Sequence, residues 1–169
     1  MSLLLRLLPL FFLVSCGFSP VYKQSAGNDS LHKTLYSIYI PPIQEKFGQE
    51  LRNRLRDSLD PTERGTSYDY RLEVSLKKEV NPSVIEQDRR ITRYNMNQTA
   101  FYRLLDTKTG KELTSGSVRN SAGFDAPKSS EFAVYTAEDD SGTRVAGELA
   151  KDIEQRIIAF LIGYTQNKQ

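Results

Sequence analysis

Few residues in this chain have the type and spacing that catalysis or metal binding requires. The 169-residue sequence contains one cysteine, Cys16, and one histidine, His32. A single cysteine excludes an internal disulfide, and a single histidine excludes a zinc site built from several histidines. The sequence also contains no glycine-rich phosphate loop and no Gly-x-Ser-x-Gly motif. We therefore predict no enzyme activity, no cofactor and no metal site.

Charged residues give two further indications. The densest carboxylate run, Glu138-Asp139-Asp140, lacks a histidine and spaced oxygen ligands, so we interpret it as charge at a helix N-terminus rather than a metal site. A carboxylate pair that only folding brings together remains an alternative. The formal net charge of +2 is too small to indicate a nucleic-acid partner.

The N-terminus has the pattern of a signal peptide. Arg6 is the only charged residue among the first 14, and an uninterrupted apolar run extends from Leu7 to Val14. A membrane-spanning helix needs about 20 apolar residues, so this run is too short to be one. A short apolar run near the start of a chain is typical of a signal peptide.

The residues that follow resemble the lipobox of bacterial lipoproteins. Leu13-Val14-Ser15-Cys16 has the small residue and the cysteine of that motif. The resemblance implies cleavage of residues 1–15 and lipidation of Cys16, including a palmitate chain. Two alternatives are an ordinary thiol near a conventional cleavage site and a buried first helix of a cytosolic domain. No aspartate follows Cys16, which by analogy with Gram-negative lipoproteins implies sorting to the outer membrane.

The next segments predict a tether, a strand and a helix. We assign residues 16–30 to a lipidated tether, 31–165 to a single domain and 166–169 to a polar tail. Residues Thr34 to Ile40 are rich in β-branched and aromatic side chains and predict a strand that ends at Pro41-Pro42. A helix then follows to Asp60, with an apolar residue at every fourth position: Ile43, Phe47, Leu51, Leu55 and Leu59.

The middle of the chain predicts a three-stranded meander. Apolar and polar residues alternate from Tyr68 to Lys77 and from about Arg90 to Leu105, although Gln98 interrupts the second apolar face. Residues 106–111 predict a hairpin turn in which Gly110 takes the positive-φ position. The third strand is expected near Glu112 to Arg119, followed by a loop from Asn120 to Ser130.

The C-terminal region predicts a long amphipathic helix. An apolar stripe recurs at Val145, Leu149, Ile153, Ile157 and Leu161, which predicts a helix from about Ser141 to Tyr164. A start nearer Glu131 is left open. The predicted fold class is α+β: two helices packed on one face of a mainly antiparallel four-stranded sheet, in the order β-α-β-β-β-α.

Basic residues surround the connection between the first two strands of the meander. The residues are Lys77, Lys78, Arg89, Arg90 and Arg93. One interpretation is that they converge at one end of the sheet and bind an anionic ligand. The alternative is a solvated edge in which lysines protect a strand from pairing with another chain, and we favour that alternative for any single residue.

The order of these features resembles a known family. The start Cys16-Gly17-Phe18-Ser19-Pro20-Val21-Tyr22, the order of strands and helices, and a C-terminal stretch from Phe132 to Ile153 resemble the LptE-like lipopolysaccharide-assembly lipoproteins in their alphaproteobacterial form. The resemblance implies a non-enzymatic protein, lipid-anchored at the periplasmic face of the outer membrane, that plugs and stabilises an LptD-like β-barrel. It also implies lipopolysaccharide as a ligand, with Arg89 and Arg90 at the expected phosphate contacts.

Two other functions remain open from the sequence. The chain is alternatively an outer-membrane lipoprotein that binds peptidoglycan or another envelope complex. The third hypothesis is a periplasmic enzyme with a carboxylate site. A co-purifying barrel, a different bound envelope component, or turnover abolished by one carboxylate substitution would distinguish the three.

Overall fold

The computed structural model describes residues 26–60, 67–85, 91–125 and 131–166. Contacts divide the chain into Met1–Ser30 and Leu31–Gln169, and the packing below is that of the second unit. The elements, in chain order, are α1 (Ala26–Tyr36), β1 (Ile38–Tyr39), α2 (Lys46–Leu59), β2 (Tyr70–Ile85), β3 (Ile91–Asp106), β4 (Glu112–Asp125) and α3 (Glu131–Gln166).

The four strands form one sheet in the order β1-β2-β3-β4. β1 pairs with β2 in parallel, whereas β2 with β3 and β3 with β4 pair antiparallel. The even-numbered residues of the meander point to the face that α2 and α3 cover. Leu72, Met96, Ala100 and Leu104 on that face are fully buried. The predicted fold class is confirmed.

The apolar stripes of the two long helices supply most of the core. Phe47, Leu51, Leu55 and Leu59 of α2 are buried, as the four-residue spacing predicts. The predicted stripe of α3 is also buried, together with Ala146 and Ala150 beside it. Spacing alone identified these contacts because a helix turns once every 3.6 residues.

The prediction for the first elements was wrong in part. The strand expected from Thr34 to Ile40 is only Ile38–Tyr39, and α1 occupies the preceding residues, including the end of the expected tether. Leu31 and Leu35 are four residues apart and therefore lie on one helical face, and Leu35 is buried in the core. This contact stabilises a helix where β-branched composition favours a strand.

The helix α2 begins later than predicted. The helix begins at Lys46, several residues after Pro41 and Pro42. Between them, Ile43 packs against the helix at Gly48. A Cβ on Gly48 would lie 2.6 Å from Cγ2 of Ile43, so glycine is required for this close approach. Glu45, which directly precedes the helix, has a positive φ of 66°. The helix ends at Leu59, as the Asp60-Pro61 pair predicts.

Two strands of the meander are longer than predicted. β2 continues past Lys77 to Ile85, with register irregularities between Pro82 and Ile85. Pro82 is tolerated because, among the described strands, β1 alone lies on this edge and pairs only with Tyr70 and Arg71. The expected loop from Asn120 to Ser130 is in part the end of β4, which continues to Asp125, and residues 126–130 lie outside the described residues. Phe124 is buried and stacks on Tyr94 of β3, with the ring centroids 5.4 Å apart.

The hairpin turn between β3 and β4 forms as predicted. Gly110 has a positive φ of 69°, and its N–H donates to the carbonyl of Asp106 at 2.8 Å. The carboxylate of Asp106 accepts hydrogen bonds from the N–H and hydroxyl of Thr109 and the N–H of Lys108. These bonds, those from Thr109 first, hold the pKa of Asp106 below its ordinary value of 3.8.

The start of the C-terminal helix is the earlier of the two alternatives. α3 runs for 36 residues from Glu131. Its length is about 54 Å at 1.5 Å per residue, so it extends along the whole sheet. Among the described helices, none combines the length and apolar character that crossing a bilayer requires.

Candidate partner-binding surfaces

Three residues predicted from the sequence lie outside the described residues. Cys16, the predicted lipidation site, lies before residue 26. Arg89 and Arg90, the predicted lipopolysaccharide contacts, lie in the 86–90 connection between β2 and β3. Their assignments stay predictions, and the structure bears only on the residues around them.

The other basic residues near that connection each lie close to a carboxylate. The ammonium of Lys77 lies 2.7 Å from Glu79, and the ammonium of Lys78 lies 3.1 Å from Glu138 of α3. The hydrogen bond from Lys77 is the main reason why the pKa of Glu79 is below its ordinary value of 4.5. These pairs favour the interpretation of a protected strand edge over that of an anion site.

The sheet also separates these basic residues. Lys78 is on the helix-covered face, where its ammonium lies 5.4 Å from the ring centroid of Phe47. Lys77 and Arg93 have odd numbers and point to the opposite face. The guanidinium of Arg93 lies 3.7 Å from Asp125, with both side chains largely exposed. These three residues therefore do not form one cluster.

The acidic run is inside α3 and not at its N-terminus. The helix begins at Glu131, two turns before Glu138, so the expected position of this charge at the helix N-terminus was wrong. Instead, Glu138 pairs with Lys78, Asp139 with Lys46 of α2, and Asp140 with Arg144 one turn later. Within the described ranges, no group of three potential metal-ligating residues occurs. The run connects α3 to its neighbours.

The face of the sheet opposite the helices is polar. Glu73 of β2 and Arg103 of β3 form an ion pair at 2.7 Å across the strands. In the next row, Phe101 lies between Ser75 and Ser117, above a shallow groove of about 620 Å³. Phe101 is 49% exposed, and none of the helices that the structure describes covers this face.

A second exposed aromatic group lies on α3. Phe132 and Tyr135 are three residues apart, which places them on one helical face, and they are 79% and 70% exposed. Val134 and Ala137 of the same turns pack instead against the sheet, beside Met96 and Phe124. The first three turns of α3 therefore contact the fold on one side and present aromatic rings on the other. Sequence analysis missed this pair because an exposed aromatic and a core aromatic have the same periodicity.

Comparisons with known proteins agree with the lipoprotein interpretation. The chain is 26% identical over 148 residues to protein RP188 of Rickettsia prowazekii, covering 88% of this chain and 90% of that protein. A crystal structure of a proposed lipoprotein from Caulobacter crescentus superposes with a TM-score of 0.65 and 27% identity, covering 81% of this chain and 99% of that one. Rare lipoprotein B from Shewanella oneidensis has the same fold, with a TM-score of 0.60 and 12% identity, over 76% of this chain and 97% of that one.

A match to a family model identifies the family of this chain. The model described as lipopolysaccharide-assembly, LptE, matches residues 33–157. The match covers well over half of the chain, from α1 to the third quarter of α3. It includes the whole of α2, the three strands of the meander and most of α3. This chain therefore belongs to the LptE family of lipopolysaccharide-assembly lipoproteins.

Proposed function

We propose that this chain is an outer-membrane lipoprotein that plugs and stabilises an LptD-like β-barrel at the periplasmic face and assists lipopolysaccharide assembly. Family membership supports the pathway. The observation that most supports the plugging role is that the two faces of the sheet differ. One face packs on an apolar core, and the other is polar and ion-paired.

A polar sheet face suits the inside of a large barrel. The strands of an outer-membrane barrel alternate between apolar residues toward the lipid and polar residues toward the lumen. Residues such as Glu73, Arg103 and Thr99 find hydrogen-bonding partners on such a wall. Phe101 on this face is 49% exposed, lies between two serines and leaves room for a partner side chain.

The pull-down that tests this function uses the full chain with its own signal peptide and a C-terminal tag. Gram-negative membranes are solubilised in detergent, and the proteins that remain bound are identified by mass. We expect a large heat-modifiable barrel in near-equal amount. Recovery of the chain with another envelope complex, or with no barrel at all, would contradict the plug.

The proposed anchor is a set of acyl chains on Cys16. One acyl chain gives only marginal membrane binding, whereas several chains give an essentially permanent anchor. We expect Cys16→Ala to lose labelled palmitate and to leave the membrane fraction if the signal peptide is still removed. Palmitate incorporation into Cys16→Ala would contradict the assignment.

The proposed lipopolysaccharide contacts are Arg89 and Arg90. A guanidinium binds a phosphate through two parallel hydrogen bonds, so two neighbouring arginines suit a phosphorylated glycolipid. We expect the double variant Arg89→Glu/Arg90→Glu to weaken lipopolysaccharide binding about tenfold while the barrel still co-purifies. The matched control is Lys108→Glu/Lys111→Glu, which reverses two charges in the other hairpin connection of the same meander. Equal loss in both double variants would show a general charge effect and contradict the site.

A further inference from the structure

The two edges of the sheet differ in their protection against pairing with another strand. On the β2 side, β1 covers Tyr70 and Arg71, and the strand beyond them carries Lys77, Lys78 and Pro82. Its register is also irregular between Pro82 and Ile85. Lysines, prolines and bulges are the usual features by which proteins keep an edge strand from pairing with another chain.

The β4 edge is irregular only at its start, where the register with β3 shifts between Glu112 and Thr114. In the described parts of the chain, β4 is the last strand of the sheet on this side. Its sequence, ELTSGSVRNSAGFD, has no lysine or proline, and Thr114 to Asp125 pair with β3 in one continuous register. A long, regular edge with small side chains presents a row of backbone N–H and C=O groups that another strand can pair with.

A groove lies directly beside this edge. Three consecutive β4 residues, Asn120 to Ala122, line it together with Val145 of α3, and its volume is about 430 Å³. Its charged lining residues are Arg54 of α2 and Arg144, Glu148 and Lys151 of α3, so the groove is more basic than acidic. The amide of Asn120 donates to Asp152 at 2.9 Å, which ties β4 to α3 beside the groove. Because side chains of a strand alternate in direction, a strand added outside β4 would place alternate side chains over this groove.

The charges of β4 indicate which strand fits. Glu112 and Asp125 are the acidic ends of the strand, and both are exposed. If two copies of this chain paired antiparallel and end to end, each Glu112 would face an Asp125, and like charges opposite each other are destabilising. A segment fits better if it has basic residues near its ends, facing Glu112 and Asp125, and no basic residue over the groove, where Arg54, Arg144 and Lys151 lie. Arg93, which lies 3.7 Å from Asp125, already shows this complementarity at one end.

We propose that the β4 edge docks an extended segment of the barrel partner, which joins the sheet as a fifth strand and places a side chain in the groove. The segment lies outside the barrel wall, because each wall strand of a closed barrel is already paired on both edges. This inference rests on the proposed function, since it takes its partner from there.

Hydrogen exchange of backbone amides tests the pairing directly. The lipidated full chain is measured in detergent, alone and in its complex with the barrel, by mass spectrometry. We expect peptides from β4 to exchange at least tenfold more slowly in the complex, whereas peptides from the protected β2 edge, residues 73–80, change little. Equal slowing at both edges, or no slowing at β4, would overturn the proposal.

Photo-crosslinking identifies the occupant. p-Benzoylphenylalanine replaces Ser121 of β4, which lines the groove, and the control replaces Ser75 of β2 on the polar face, which the proposed function places against the barrel wall. We expect crosslinks from Ser121 to map to one barrel-protein segment between or before the wall strands, flanked by lysine or arginine, and crosslinks from Ser75 to map to wall strands. Crosslinks from Ser121 to a wall strand, to a second copy of this chain, or to nothing while the barrel co-purifies would overturn the inference and leave the proposed function intact. Absence of the barrel from the purified chain would contradict both.

Discussion

The two ends of the layer between the sheet and α3 are packed differently. The main core contains Leu72 and Leu104 of the sheet and Ile153 and Leu161 of α3. It also includes most of the apolar residues of α2 and part of α1. Among the residues whose burial is described, the buried members of the distal cluster at the other end are Phe47, Met96 and Phe124. Partly buried side chains, such as Val134 and Ala137, surround the distal cluster.

Polar groups separate the two regions. Gln98 of β3 and Ser141 of α3 are both fully buried between them. The amide nitrogen of Gln98 donates to the carbonyl of Gly142 at 3.3 Å, but its Oε1 has no hydrogen-bond partner among the described residues. A buried polar atom without a partner costs about 1–3 kcal/mol, so this boundary weakens the layer.

The main core is the part of the molecule on which folding depends most, and the distal end is the part with more surface free for a partner. The main core holds the fold, because burial of apolar side chains supplies most of the folding free energy. The distal end contributes less and carries the exposed Phe132 and Tyr135. It is also the end at which β2 and β3 lead into the connection that contains Arg89 and Arg90. We interpret the weaker packing there as compatible with contacts that a partner completes.

The largest expected effect is the loss of the main core. Ile153→Asp or Leu51→Asp places an unpaired charge where the exposed fraction is zero. We expect either variant to be unfolded, since such a charge costs about 5 kcal/mol or more, which is comparable with the stability of a domain. Circular dichroism checks this, with Ala159→Asp on the exposed side of α3 as the control. A native-like spectrum for either core variant would contradict the packing of helices on the sheet.

A matched pair of substitutions on β3 compares the two regions. Leu104 lies in the main core and Met96 in the distal cluster, and both are fully buried on the same face of the strand. We expect Leu104→Ala to lower the free energy of unfolding by about 4 kcal/mol and Met96→Ala by about 2, because the smaller cluster collapses more easily around a cavity. Urea denaturation measures both. Equal losses would show that the distal cluster is as tightly packed as the main core.

Two glycines of α3 make the next comparison. A Cβ on Gly142 would lie 2.2 Å from Cζ of Phe47, whereas nothing lies within 4 Å of a Cβ on Gly163. We expect Gly142→Ala to destabilise the protein by about 1–3 kcal/mol through overpacking, despite the higher helix propensity of alanine. Gly163→Ala should stabilise it by up to about 1 kcal/mol. Thermal denaturation distinguishes the two, and a stabilising Gly142→Ala would mean that Phe47 has room to move.

The smallest expected effect is at the polar boundary. Gln98→Met replaces the unpartnered amide with an apolar side chain of similar size, and the carbonyl of Gly142 keeps its helical hydrogen bond. We expect the variant to be about 1 kcal/mol more stable, because the cost of the buried Oε1 is removed. The control, Gln98→Glu, buries a carboxylate and should be less stable than the unmodified protein. If Gln98→Met is less stable, an ordered water or another group satisfies Oε1.

The two long helices, α2 and α3, were predicted more accurately than the ends of the strands. The stripes of α2 and α3 follow from spacing alone, since each apolar position buries against the same layer. The ends of β2 and β4 do not, because Pro82 and Gly123 are local strand breakers that the pairing with β3 overrides. α1 was missed for a similar reason: the burial of Leu35 depends on residues far along the chain.

The candidate surfaces depended even more on tertiary structure. The basic residues near the β2–β3 connection are close in sequence, but the alternation of strand side chains sends Lys77 and Lys78 to opposite faces. Their carboxylate partners include Glu138, which is 60 residues away in the chain. Sequence spacing cannot indicate such pairs, because each forms only after α3 packs on the sheet.

Four features follow from the sequence alone: the α+β class, the buried faces of the two long helices, the hairpin turn at Gly110 and the resemblance to the LptE family. They depend on local periodicity, turn chemistry and the order of motifs along the chain. Tertiary packing, in contrast, sets which edge of the sheet is protected and where the core divides. It also sets which charged side chains neutralise one another. Those properties depend on residues distant in sequence that meet when the sheet and α3 pack together.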